Sequence, residues 1–175
     1  MNRIIVIGTS CSGKSTFSKE LALKLTLEYI ELDALHWLPD WVERDDDIFT
    51  ELVQSATETD NWVIDGNYGV VRQITWNKAD TIIWLNYPFF LVFFRALKRT
   101  LRRMITHEQC CGNNKESFRL SFFSRNSILL WVLTSYHRNK RDFPGIFQQP
   151  EFNHLQIIIL QSPKKTEQFL QQLIK

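Results

Sequence analysis

The chain has 175 residues, 44% of them hydrophobic and 23% charged, ordinary proportions for a globular protein with one domain and a full core, which exclude a low-complexity or disordered chain. A formal net charge of +2 is too small to argue by itself for a nucleic-acid partner. The most lipid-like stretch, Tyr87 to Phe94, is far too short to span a bilayer, and three cysteines, which cannot all pair internally, fit a reducing cytoplasm.

Arg3-Ile-Ile-Val-Ile7 is short and β-branched, as a buried parallel strand should be, and is no signal-peptide pattern. It runs straight into Gly8-Thr-Ser-Cys-Ser-Gly13-Lys14-Ser15-Thr16, which fits G-x-x-x-x-G-K-[ST] at every fixed position. A helix is predicted from Ser15 to Leu27, with Phe17, Leu21 and Leu25 on one apolar face. Strand, glycine-rich turn and helix therefore come in the order the motif requires. Glycines at both ends let successive N–H groups point inward at an anion, and the helix N-terminus adds its positive end. Gly8, Ser10, Cys11, Ser12, Gly13, Lys14, Ser15 and Thr16 are thus expected to hold ATP. Lys14 would reach the β- and γ-phosphates, and the Ser15 hydroxyl would ligate Mg²⁺. Cys11 occupies a variable position of the motif and is assigned no redox role.

A second strand is predicted over Tyr29–Asp33 and ends in a carboxylate. Asp33 is open between two roles: holding or deprotonating the group that accepts phosphate, and capping a turn. Asp45-Asp46-Asp47 starts a helix on which Ile48, Leu52 and Ala56 repeat at four. His36, Trp37 and Trp41, with Tyr68 and Trp76 further on, are either core packing or a platform for an aromatic acceptor. The third strand, Trp62-Val-Ile-Asp65, is followed at once by Gly66-Asn67, so Asp65 sits where ligands bind in open α/β sheets. That position favours a role at Mg²⁺, directly or through water, over turn capping.

Thr81–Leu85 is a fourth strand, and Pro88 opens a long helix with Phe90, Phe94, Leu97 and Leu101 along one side. A polar stretch over about 106–116, with Gly112, Asn113 and Asn114, has the character of a mobile lid. A second long helix over Phe118 to Tyr136, a fifth strand over Leu155–Leu160 and a helix over Thr166 to Ile174 complete the chain. Strands alternating with helices imply a parallel sheet covered on both faces.

Arg95, Lys98, Arg99, Arg102 and Arg103 crowd the first long helix, and Arg138, Lys140 and Arg141 follow the second. Three readings stand: arginines that clamp transferring phosphate, a solvated cationic face, and a nucleic-acid patch. Two basic groups bracketing a polar loop favour phosphate clamping for some of them. His107, Cys110 and Cys111 lack the spacing and the fourth ligand of a structural zinc site.

Gly8 to Ser15, Leu32-Asp-Ala-Leu-His-Trp37, Trp62-Val-Ile-Asp-Gly-Asn-Tyr68, Ala79-Asp-Thr-Ile-Ile-Trp-Leu85 and Leu160-Gln-Ser-Pro163 together resemble the DNA topology modulation family, small adenylate-kinase-related proteins. The resemblance runs through nearly the whole chain. It implies an α/β P-loop NTPase fold of the nucleotide-kinase type: one domain over 1–175 with a five-stranded parallel sheet, strand order 2-3-1-4-5, sandwiched by helices. It also implies an acceptor-binding insertion over about 34–60 and a short arginine-bearing lid over about 104–117. By similarity Arg72 grips the acceptor, Arg99 and Arg103 stand at the first lid hinge, and Arg138 and Arg141 at the second. Glu116 matches a position the family tends to keep acidic.

The function expected from these residues is ATP- and Mg²⁺-dependent phosphoryl transfer to a small molecule such as a nucleoside or nucleotide. Lys14, Asp33, Arg99, Arg103, Arg138 and Arg141 are the expected catalytic residues, and Ser15 and Asp65 the expected metal-holding pair. Asp33, Trp37, Asn67 and Arg72 are expected to bind the acceptor. The alternative is an ATP-binding regulator whose basic face touches DNA, although nothing like a recognition helix or a base-stacking platform is present.

Overall fold

The computed structural model describes residues 1–106, 109–110, 114–115 and 128–173. In chain order the elements are β1 (Arg3–Gly8), α1 (Lys14–Leu25), β2 (Glu28–Glu31), α2 (Leu32–His36), α3 (Asp46–Ala56), β3 (Trp62–Asp65) and α4 (Gly69–Lys78). There follow β4 (Thr81–Leu85), α5 (Phe89–Thr106), β5 (Gln109–Cys110), β6 (Asn114–Lys115), α6 (Ile128–Phe147), β7 (Gln156–Leu160) and α7 (Pro163–Gln172). Five strands form a parallel sheet in the order β2-β3-β1-β4-β7. Counted over this sheet alone, that is the expected 2-3-1-4-5. The strands β5 and β6 make a separate antiparallel pair. His107, Cys111 and Glu116, with most of the expected lid and residues 118–127 of the second long helix, lie outside the described residues.

The period-two alternation of β1 divides the core. Ile5 and Ile7 face Phe49, Trp62, Trp76 and Phe143, on the side covered by α3 and α4. Ile4 and Val6 face Phe17, Leu21, Val92 and Leu170, on the side covered by α1, α5 and α7. Asp80 staples one end of the sheet, taking the Asn2 and Arg3 amides at 2.7 and 3.0 Å, so β1 and β4 start in register.

Four local expectations are corrected. The second strand stops at Glu31, and Asp33 lies on α2 rather than at a strand end. On α3 the buried residues are Phe49 and Val53, one step beyond the expected face; Ile48 and Leu52 are exposed. Asp45 does start that helix, its carboxylate accepting from the Asp47 and Ile48 amides. On α5 the side that enters the core is Val92, Ala96 and Thr100, while Phe90, Phe94 and Leu101 face solvent. Helix α6 does not stop at Tyr136 but continues through Pro144 to Phe147, because Phe143 and Phe147 pack on Trp84 at 5.4 and 5.8 Å. Arg138, Lys140 and Arg141 therefore sit on the helix, not after it. The helix α4 had no counterpart in the sequence reading.

Candidate active site

The turn between β1 and α1 has the backbone of an anion cradle. Gly8 and Gly13 adopt positive φ, and Cys11 does so at φ 66°. A Cβ on Gly8 would come within 3.0 Å of both the Leu85 carbonyl and the Ser12 hydroxyl, so only glycine lets the loop pass β4 this closely. The Ser12 amide donates to the Thr9 carbonyl at 3.1 Å and closes the turn. Lys14 and Ser15 open α1, and no acidic side chain stands in its first turn to compete with a bound anion. The Ser12 hydroxyl is buried and finds no hydrogen-bond partner among the described residues.

The loop is tied to α5 by Arg95, a residue the sequence reading grouped with the other cations and gave no role of its own. Its Nη1 donates to the Ser12 carbonyl at 2.8 Å, and its guanidinium lies over the Tyr87 ring at 5.4 Å. Spacing identifies a cation on a helix; it does not reveal that a loop 83 residues away comes back beneath it.

Asp65 ends β3 directly beside this loop, and its carboxylate is buried. Its Oδ2 accepts from the Tyr29 hydroxyl at 3.3 Å, while Oδ1 has no hydrogen-bond partner among the described residues. Burial pushes the carboxyl above the usual aspartate range. The Lys14 ammonium and the Ser15 hydroxyl oppose that shift, and Asp33 adds to it. Sheet register explains the neighbours, because Glu31 pairs with Asp65 on adjacent strands. Glu31 is likewise raised by burial, against the pull of Lys19, whose ammonium stands 3.9 Å away. The Tyr29 phenol is raised strongly, by burial first and then by Asp65 and Glu31. It stays a neutral donor at any working pH.

Asp33 reaches the same end of the sheet from α2. Its Oδ1 accepts from the Tyr68 hydroxyl at 2.6 Å. Tyr68 is held by the aromatics around it, with His36 at 4.5 Å and Phe49 at 5.3 Å between ring centroids. The expected aromatic cluster is thus packed largely against itself. Trp37 and Trp41 form their own edge-on pair at 5.6 Å. Trp76 lies in the core against Phe152.

Arg72, on α4, is half-buried over the Trp76 ring at 5.5 Å, with Nε 3.5 Å from Asn67 Oδ1. Burial lowers its pKa from the usual arginine value, Asp142 opposes that shift, and Arg138 adds to it. On α6 the Arg138 guanidinium is exposed and covers the Trp131 ring at 5.2 Å. Arg141 is placed differently. It is 78% exposed and engaged by its neighbour Asp142 at 2.7 Å. Arg99 carries a buried Nε without a partner among the described residues, and Arg103 is half-buried on the same helix.

The described residues contain no cluster of three or more histidine, cysteine or acidic side chains arranged as a protein-only metal site. A cation here would be held by Ser15, Asp65 and a bound polyphosphate together, and the unpartnered, desolvated Asp65 Oδ1 fits that arrangement.

Comparison of the whole chain with solved structures agrees with this fold. Shikimate kinase from Bacteroides thetaiotaomicron superposes with a TM-score of 0.57 at 16% identity, covering 98% of this chain and 96% of that one. Shikimate kinase from Acinetobacter baumannii, in complex with shikimate, gives 0.58 at 14% identity, over 99% and 91%. A gluconokinase from Sinorhizobium meliloti 1021 gives 0.54 at 14% identity, over 99% and 89%. The fold is that of the small P-loop kinases. No protein-family model matches the sequence, and no curated protein matches it.

Proposed function

We propose that the protein transfers the γ-phosphoryl group of ATP to a hydroxyl of a small acceptor that carries an anionic group. The observation that carries this reading is the meeting of Lys14, Ser15, Asp65 and Asp33 at one end of the sheet, with an unpartnered carboxylate oxygen among them. The loop amides and Lys14 bind the phosphates of ATP. Ser15 and Asp65 hold Mg²⁺, which supplies charge neutralisation when bound. Asp33 receives the proton of the acceptor hydroxyl as the new oxygen–phosphorus bond forms and the bond to the β-phosphate oxygen breaks, releasing ADP. Arg72, with Arg138 of α6 adding positive charge, gives a planar, bidentate site for a carboxylate or phosphate on the acceptor, and Asn67 orients Arg72. Residues 34–60, including Trp37, shape the acceptor side. Arg99 and Arg103 stand on the part of α5 that leads to the expected lid, where cations would meet the transferring group.

The three neighbours named above are kinases of small hydroxyl-bearing molecules, which supports an alcohol as acceptor. A coupled ADP-release screen over hydroxy acids, sugar acids, nucleosides and nucleotides, with and without Mg²⁺, tests the reading. Release that depends on acceptor, Mg²⁺ and an intact Lys14 is expected. Release that is indifferent to every acceptor while DNA binding weakens steeply with salt would instead support the regulator that the topology-modulation resemblance implies.

A further inference from the structure

Helix α6 is anchored at two places. Near its middle the Tyr136 hydroxyl donates to the Tyr87 carbonyl at 3.2 Å, just past the end of β4 and close to the phosphate loop. Toward its C-terminus Phe147 stacks on Trp76 at 5.9 Å, the ring that Arg72 covers from α4 on the acceptor side. Asn139 and Lys140 stand on the stretch between these anchors. With Thr9, the first residue after Gly8 in the phosphate loop, and Asn86 at the end of β4, they line one small cleft. Its open space is about 10 Å³, room for a single oxygen atom of a water or of a phosphate.

Lys140 enters this cleft as a positioned charge with only neutral partners. Its ammonium donates to the Tyr136 hydroxyl oxygen at 3.3 Å and lies 5.5 Å over that ring. One of its three N–H bonds is thereby used and two are left for a ligand. No carboxylate pairs with it among the described residues. The other cations of this stretch are committed elsewhere, Arg141 to Asp142 at 2.7 Å and Arg138 over the Trp131 ring. The side-chain amides of Asn86 and Asn139 make no hydrogen bond among the described residues, and no acidic side chain lines the cleft. Donors and a positive charge thus meet beside the loop that cradles phosphate, on the helix that links the nucleotide side to the acceptor side. A terminal phosphate lies between those two sides, and an ammonium is a good point charge for it. Resting on the reading of this loop as the ATP site, we propose that Lys140, with Asn139 beside it, binds the terminal phosphate of ATP and so lets the protein tell ATP from ADP.

Calorimetric titration separates this contact from catalysis. The full chain is titrated with ADP, or with the β,γ-imido analogue of ATP, in the presence of Mg²⁺ and without acceptor. The parent is expected to prefer the analogue. Lys140→Met, which keeps the stem and removes the charge, should lower analogue affinity about tenfold, the usual effect of losing a hydrogen bond to a charged group, and leave ADP affinity unchanged. Lys140→Arg, which keeps the charge, should recover most of that loss. Asn139→Ala should lower analogue affinity by about threefold, again sparing ADP. The Lys140 side chain is exposed, so its variants should keep the circular dichroism and melting temperature of the parent. Analogue affinity that Lys140→Met leaves unchanged overturns this inference alone and leaves the loop as the ATP site. Equal losses for the analogue and ADP overturn it too, because a contact to the terminal phosphate cannot act on ADP. A parent that binds neither nucleotide overturns the reading of the loop itself, and this inference with it.

Discussion

Lys14 and Asp65 show how two side chains of opposite charge come to depend on one another. Lys14 is half-buried at the first position of α1 and contributes nothing to either core cluster. Lys14→Ala is therefore expected to fold normally and to lose about 10²–10³ in turnover, the usual effect of removing one donor from a charge-stabilising site; steady-state kinetics beside a thermal melt checks both halves. Asp65 is the more informative residue because burial raises its pKa. As pH falls it takes up its proton above the ordinary carboxylate range, so Mg²⁺-dependent nucleotide binding should fail at a higher pH than an exposed aspartate would allow. The sign for stability is opposite. The raised pKa means that the neutral form is the one folding favours, a contribution present at low pH and lost as pH rises through the folded value. Asp65→Asn should then melt no lower than the parent at neutral pH while its magnesium titration is abolished. Removing the Tyr29 hydroxyl, in Tyr29→Phe, takes away a donor to the ionised form and should move the acid limb of magnesium-dependent binding further up. The phosphate loop and Asp65 were legible in the sequence because their meaning rests on fixed local spacing and on a strand end. Tyr29 and Tyr68 were not, since each meets its carboxylate from about 35 residues away.

Among elements, legibility followed the balance between local pattern and neighbours. All five sheet strands were foreseen because each is a short apolar run bounded by turn residues. Helix α5 was foreseen, but not which way it faces. It carries apolar side chains on two sides, so a period of 3.6 finds a stripe without saying that the stripe enters the core. In the structure the smaller residues Val92 and Ala96 are buried, and these permit close approach to the sheet. On α3 the same ambiguity moved the buried face by one residue, to Phe49 and Val53. The staple at Asp80 belongs to this scale. Partial burial pushes its carboxyl up, but the Thr81 hydroxyl and the Asn2 and Arg3 amides outweigh that and hold its pKa below the usual range. Its stabilisation is accordingly complete above the ordinary aspartate pKa of about 3.9 and is lost as pH falls through the lowered value. Asp80→Ala should cost about 1–2 kcal/mol at neutral pH, after allowance for its partial exposure, from two charge-assisted amide bonds. Urea unfolding at neutral pH and in acid measures it, and the difference between variant and parent should shrink in acid. Arg95 links two other elements. Arg95→Ala, by freeing the Ser12 carbonyl, should weaken ATP binding by roughly tenfold with little change in melting temperature.

At the scale of the whole molecule, the acceptor side of the site joins parts of the chain that no local pattern connects. Arg72 lies on α4 and Arg138 and Asp142 on α6, the second long helix, and α6 is brought there because Phe143 and Phe147 anchor it on Trp84. The field of Arg138 adds to the lowering of the half-buried Arg72 pKa, and Asp142 offsets it in part. Proteins keep such like-charge pairs where a ligand supplies the missing anion, and the unliganded fold bears the cost. Arg138→Ala should therefore leave the melting temperature unchanged or raise it, while kcat/KM for an anionic acceptor falls about ten- to a hundredfold, the value of losing a hydrogen bond to a charged group. Asp142→Ala should act in the other direction on stability, lowering the melting temperature because Arg72 loses the carboxylate that balances its half-buried charge. Its acceptor affinity should hold or improve, since the site becomes more positive. A double-mutant cycle of Arg72→Ala and Arg138→Ala on acceptor binding should be strongly non-additive, with either loss removing most of what the pair provides. If the two losses simply add and neither touches stability, the arginines act separately and do not form one site for the anionic group of the acceptor.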